Sequence, residues 1–216
     1  MISSRALIIS CALTSLLTVI VGCGGERNAR GGAGEGEQGP MDPQLRDELV
    51  EMARLDQELR EDFGPDRMQD TAFMRRMLTS QQLHAARMGE VLDEHDWPGP
   101  ALVGKDGAEA AWLLIQHGDL PLQQRALRLL SASEDPGVPP SAIAMLTDRV
   151  LVGQGEPQRY GTQFSIVDGR LQIDSLQNPD SVDAWRAEVG LGPLAEYIQQ
   201  IEAAYGEAAD ADTTPG

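Results

Sequence analysis

Ten consecutive residues, Ala108 to His117 (AEAAWLLIQH), carry one acidic side chain, Glu109, and are otherwise apolar or small nearly to their end. An amphipathic helix shows water one face; a stretch apolar all round must be enclosed on every side. It is read as the central buried helix of a helical domain, around which the other segments pack.

Those segments are marked by breakers. Asp42-Pro43 is a helix start, a capping side chain followed by Pro at the first helical position. Leu45, Leu49, Met52 and Leu59 follow at helical spacing until Phe63-Gly64-Pro65. A second helix is predicted over Thr71 to Asp93, its apolar stripe including Phe73, Met77, Leu83, Met88, Val91 and Leu92. Its methionines read as core filler. Trp97-Pro98-Gly99-Pro100 reads as a rigid turn into the central helix, which Gly118 ends. Pro121 starts a helix over Leu122 to Ser131, and after a Pro/Gly loop another runs Pro140 to Val152. Tyr160 to Val167 alternates as a strand, Asp168-Gly169 is a tight-turn signal, and Leu171 to Ile173 returns. Helices over Pro179 to Val189 and Pro193 to Tyr205 close the chain before an acidic tail, 206–216, expected to be disordered. The fold class is therefore mainly α, a compact multi-helix domain with one small hairpin at about 160–175.

The N-terminus gives an address. Arg5 precedes an apolar run, Ala6 to Val21, too short and too N-terminal to favour a permanent membrane span. It ends Ile20-Val21-Gly22-Cys23, which resembles a bacterial lipobox. The resemblance implies that residues 1–22 are removed and Cys23 is diacylated, an anchor with enough buried methylenes to hold. Gly24 at the next position implies the outer membrane, facing the periplasm. Residues 24–41 hold seven glycines and form a tether from Cys23 to a single domain at 42–205. Cys11 and Cys23 are the only cysteines, so the mature domain has no disulfide, thiolate nucleophile or Cys metal ligand. The formal net charge of −17 becomes −18 once Arg5 is lost, which disfavours nucleic acid and leaves membrane contact to the lipid.

Several motifs sit on this frame: Asp56-Gln57-x-x-Arg60, Trp97-Pro98-Gly99, Ala111 to Asp119 (AWLLIQHGD), Leu146 to Val150 (LTDRV), Gln158-x-Tyr160-Gly161-Thr162-Gln163 and Gly190 to Leu194 (GLGPL). In that order they resemble a bacterial domain family of unknown function, often found in secreted or lipid-anchored proteins. The resemblance spans about 45–200 and brings no activity with it. The chain departs from the family pattern at His84, in place of Asn, and at Asp96, in place of Gly before Trp97.

Candidate chemistry centres on His117, with Asp119 two residues on. A carboxylate beside an imidazole orients it as a general base. A His at a helix C-terminus also serves simply by satisfying late carbonyls and the helix dipole. Asp148 and Arg149 are either a ligand-binding pair or an ion pair locking helix to loop. Gln158, Tyr160, Thr162 and Gln163 either line a polar cleft for amides, sugars or peptides, or satisfy backbone groups where the loop enters the strand. Asp56, Gln57 and Arg60 either face that cleft or form an exposed set. His84, His95 and His117 lack zinc-motif spacing, and phosphate-loop, dinucleotide and nucleophile-elbow motifs are missing, so neither metal nor cofactor is expected. Two functions remain: an envelope module binding a partner protein or small polar ligand around 148–163, or an envelope hydrolase with His117 as base and Arg149, Tyr160 and Gln163 around its substrate.

Overall fold

The computed structural model describes residues 40–64, 67, 69–167 and 170–211. The signal segment, Cys23, nearly all of the tether, Pro65, the Asp168-Gly169 turn and the end of the tail lie outside the described residues. Within them the elements run α1 Pro43–Glu61, α2 Thr71–His95, α3 Pro100–Gln116, α4 Leu120–Ala132, α5 Pro140–Gly153, β1 Phe164–Val167, β2 Arg170–Ile173, α6 Val182–Glu188 and α7 Leu194–Ala211. The fold is mainly α with one β-hairpin.

Short acidic side chains set the starts of α1, α2 and α4. Asp42 accepts from Leu45 N (2.9 Å) and opens α1. Asp70 accepts from Ala72 N and Phe73 N (3.0 Å each) and opens α2. Asp119 accepts from Leu122 N (3.0 Å) and opens α4. Each satisfies amide donors that a helix start leaves without partners.

The core is the central helix and what surrounds it. Val103, Ala108, Ala111 and Ile115 of α3 are fully enclosed, with Leu49 from α1, Met88, Val91 and Leu92 from α2 and Ala126 from α4. α3 starts earlier than its apolar run, because Pro100 is its first residue rather than the end of a turn. Its first turn is offset from the rest at Gly104, whose φ of +72° only glycine adopts without strain. Trp97 is buried and donates Nε1–H to Pro136 O (2.8 Å), tying the α2–α3 turn to the α4–α5 loop. Asp96 takes φ +56° and ψ −131°, the one positive φ of a non-glycine among the described residues.

β1 and β2 pair antiparallel, Phe164 opposite Ile173 and Val167 opposite Arg170. The strand begins at Phe164, not at Tyr160 as the alternation predicts. α7 continues past Tyr205 to Ala211, over helix-favouring Glu207-Ala208-Ala209.

Candidate functional site

α3 ends at His117, which is 3 % exposed. Its Nδ1 lies 2.5 Å from Asp56 Oδ2 on α1. Arg60, one turn further along α1, donates Nε–H to the same oxygen (2.8 Å) and Nη2–H to Asp56 Oδ1 (3.2 Å). Asp56 and Arg60 are themselves 5 % and 8 % exposed. They are not the exposed set that their spacing allowed. Leu45, Leu49, Ala53, Asp56 and Arg60 form the buried face of α1, so its apolar stripe continues into a buried ion pair.

Other helices complete this centre. Gln81 of α2 donates to His117 O. Gln123 of α4 bridges Gln116 O and Gly118 O (3.0 Å each), and Arg149 of α5 donates Nη1–H to Gln116 O (3.3 Å). The peptide groups at the end of α3 are thus held by α2, α4 and α5, while the ring is held by α1.

The electrostatics fix the tautomer. Burial pushes the Asp56 carboxyl up, but hydrogen bonds from His117 and Arg60 outweigh it and bring it down to about 2. Asp56 is therefore ionised near neutrality and accepts Nδ1–H from the ring. Burial pushes His117 below the ordinary histidine value, only partly offset by Asp56, and the Arg60 and Arg149 charges add to the lowering. A neutral imidazole with its proton on Nδ1 presents Nε2 as an acceptor. Nε2 is buried and has no hydrogen-bond partner among the described residues. The same holds for Gln116 Nε2, Gln57 Nε2 and His84 Nδ1. His84 is close enough for Asp56 to raise its pKa and Arg60 to lower it, although burial dominates and leaves it low.

Asp119 does not orient His117. Its carboxylate caps α4, and Asp56, 61 positions earlier than the imidazole, takes the orienting role. The proximity of Asp119 in sequence is the geometry of a helix cap rather than of a dyad.

Asp148 forms a separate centre. It is fully enclosed and accepts from Arg159 N (2.8 Å), Tyr160 N (2.9 Å), Thr162 N (3.0 Å) and Thr162 Oγ1 (2.9 Å). The loop 159–162 wraps round one carboxylate, so Asp148 locks helix to loop through backbone amides. Gly161 makes the wrap possible: its φ is +66°, and a Cβ there would meet Leu194 Cδ1 at 2.8 Å.

Gln158 does a strand's work with a side chain. Its Oε1 accepts from Gln163 N (2.8 Å), and its Nε2 donates to Gln163 O (2.8 Å) and Asp174 O (2.9 Å). Gln163 Nε2 donates to Thr162 Oγ1 (3.2 Å). Tyr160 O accepts from Arg186 Nη1 (2.7 Å) and Thr162 O from Tyr197 Oη (3.1 Å). With the bonds to Asp148, these use up the amides of Tyr160, Thr162 and Gln163, and β1 starts only at Phe164. Of the residues read as a polar cleft, Gln158, Thr162 and Gln163 are buried and committed to the loop itself, and Arg149 reaches the His117 centre instead.

Among the described residues, no three His, Cys, Asp or Glu side chains come together as a metal-ligand set, and no helix is long and apolar enough to cross a membrane. The model of a family of unknown function matches residues 43–209. The chain belongs to that family, DUF6624. No curated protein and no solved structure matches it. In this DUF6624 chain the sequence missed Asp56 as the partner of His117, His84 as a half-buried imidazole with an enclosed Nδ1, and Arg186 as a buried cation. The signal for Asp56 was its place in the 45–49–53–56–60 stripe; Arg186 gave none, because nothing in a seven-residue helix separates a buried Arg from an exposed one.

Proposed function

We propose that this protein is a lipid-anchored envelope module that binds a small polar ligand at the His117 centre. The observation that carries this reading is the set of buried nitrogens without hydrogen-bond partners on the carboxylate-bound imidazole and on side chains of the helices that hold it: His117 Nε2, Gln116 Nε2, Gln57 Nε2 and His84 Nδ1. A buried polar atom left without a hydrogen bond costs about 1–3 kcal/mol, so four together favour a ligand that satisfies them. The ligand must offer a donor to His117 Nε2 and acceptors to the glutamine amides. A hydroxyl or carboxamide offers both in adjacent atoms, which fits a sugar or an amide. The loop 158–163 acts as the scaffold beside the site rather than as the binding surface.

The hydrolase reading is favoured by one contact, His117 Nδ1 to Asp56 at 2.5 Å. With Asp56 orienting the ring and stabilising the imidazolium, Nε2 can take a proton from a ligand hydroxyl or from water. In this reading the attacking group is a water that gives its proton to Nε2.

A ligand-observed NMR screen of sugars and amides against the full chain tests binding. Hits that vanish in His117→Gln, while its thermal midpoint holds, support the reading. Hits that persist in His117→Gln sink it. Turnover of any hit, lost in the same variant, decides for the hydrolase. The address rests on Cys23, and a Cys23→Ser chain that still partitions to membranes overturns the anchor.

A further inference from the structure

The geometry points to a second binding site, independent of the first, that takes a small monocarboxylate with an apolar body against Arg186. Arg186 on α6 is 2 % exposed, yet among the described residues no Asp or Glu oxygen lies within ion-pair distance of it. Its Nε–H goes to Gly192 O (2.6 Å), its Nη1–H to Tyr160 O (2.7 Å), and its guanidinium lies 5.0 Å from the Tyr197 ring centroid. Nη2 makes no hydrogen bond to another described residue. Two carbonyl dipoles and a ring face compensate a buried cation only in part. A guanidinium offers paired N–H groups in one plane, the geometry a carboxylate matches.

Arg186 also lines a cavity of about 340 Å³ between α5, the α6–α7 turn and the start of α7. That volume is at the lower end of the range for small-molecule sites. Met145, Leu191 and Pro193 supply apolar lining, and Ser141 and Gln200 supply polar groups. The buried cation selects a negative head, and the apolar lining selects a hydrocarbon body. Glu196 lines the same cavity and is exposed, so it repels a second negative charge and disfavours a phosphate dianion. The cavity touches the Asp148 loop through Thr162 and includes none of the residues that hold His117.

The test uses the full chain in detergent with three salts at matched ionic strength: sodium benzoate, sodium phosphate and sodium chloride. Benzoate raises the thermal midpoint saturably and shifts the Met145 methyl NMR signal, and the other two salts do neither. Leu191→Trp, which fills the cavity and keeps the Arg186 guanidinium, weakens benzoate binding at least tenfold. Three outcomes overturn the proposal: a benzoate effect no larger than that of chloride, a Met145 signal that stays in place at saturation, or a preference for phosphate. The Met145 signal is read on the unsubstituted protein, so the result stands even where Leu191→Trp fails to fold.

Discussion

Asp56 and Asp148 are both buried carboxylates on helices, and the protein stabilises them in opposite ways. Asp148 is bound by three backbone amides and one hydroxyl, all from residues 159–162. Asp56 is bound by two side chains, His117 from another helix and Arg60 from its own. Backbone amides cannot titrate or leave, so Asp148 holds a fixed shape. An imidazole can take or give a proton, and its second nitrogen faces away from the carboxylate, so Asp56 can support chemistry or recognition. The two centres are joined by α5, whose Asp148 serves the loop and whose Arg149 serves the end of α3.

The largest effect expected is on the fixed centre. Asp148→Ala leaves four donors without their acceptor. At about 1–3 kcal/mol for each buried orphan, and with some recovered by water, a loss of about 4 kcal/mol is expected in urea unfolding. A loss below about 1 kcal/mol would show that the loop is held by something other than this carboxylate.

Asp56→Asn comes next. It keeps the shape but leaves Arg60 buried beside a neutral amide, a change worth about 3 kcal/mol. The double variant Asp56→Leu/Arg60→Met removes both charges and should recover more than half of that loss, since apolar replacement of a buried pair is often nearly neutral. Ligand binding at His117 should stay lost in both variants. If binding survives in the double variant, Asp56 is only structural and the contrast between the two carboxylates fails.

Most of the helical frame was legible because it depends on local chemistry. The Asp-Pro start of α1 and the apolar run of α3 act within a few residues of themselves. The site was half legible. His117 was readable, since a polar residue ending an apolar helix is exposed to choice by tertiary structure. Its partner was not, because the nearest carboxylate in sequence, Asp119, is taken by the amide of Leu122. The loop failed for a related reason. Alternation marks a strand only when backbone amides are free to pair across it, and those of Tyr160, Thr162 and Gln163 are committed to Asp148 and Gln158. Asp96 was not legible either: it holds a positive φ of 56° at the end of α2, a conformation its residue type does not announce.

Gly161→Ala tests the fixed centre from its backbone. The added Cβ faces a φ of +66° and a 2.8 Å contact with Leu194 Cδ1. Left-handed backbone costs roughly 1–2 kcal/mol for a residue with a Cβ, and the tip of Leu194 can move aside, so a total of about 2 kcal/mol is expected by chemical denaturation. The His117 ligand should bind as before, since Gly161 serves only the Asp148 wrap. Lost binding with an intact fold would mean that the two centres are coupled through α5.

The smallest effect is a pH dependence that only the titratable centre can show. His117 has a folded pKa below its ordinary 6.5 because burial disfavours the imidazolium. As pH falls through 6.5, the unfolded chain takes up this proton before the folded one does, so stability declines below pH 6.5 until the folded pKa is reached. Above 6.5 both states are neutral there and His117 contributes no slope. One proton limits that slope to about 1.4 kcal/mol per pH unit. Asp56 acts in a different window: its carboxyl falls from 3.8 to about 2 on folding, so its contribution is complete above 3.8 and lost as pH falls through 2. Urea unfolding of wild type and His117→Gln between pH 7.5 and 5 should therefore diverge only below about 6.5, with the variant the flatter of the two. Parallel curves would mean that His117 keeps its ordinary affinity for protons despite its burial, and the neutral Nε2 acceptor on which the binding proposal depends would then be present only above about pH 6.5.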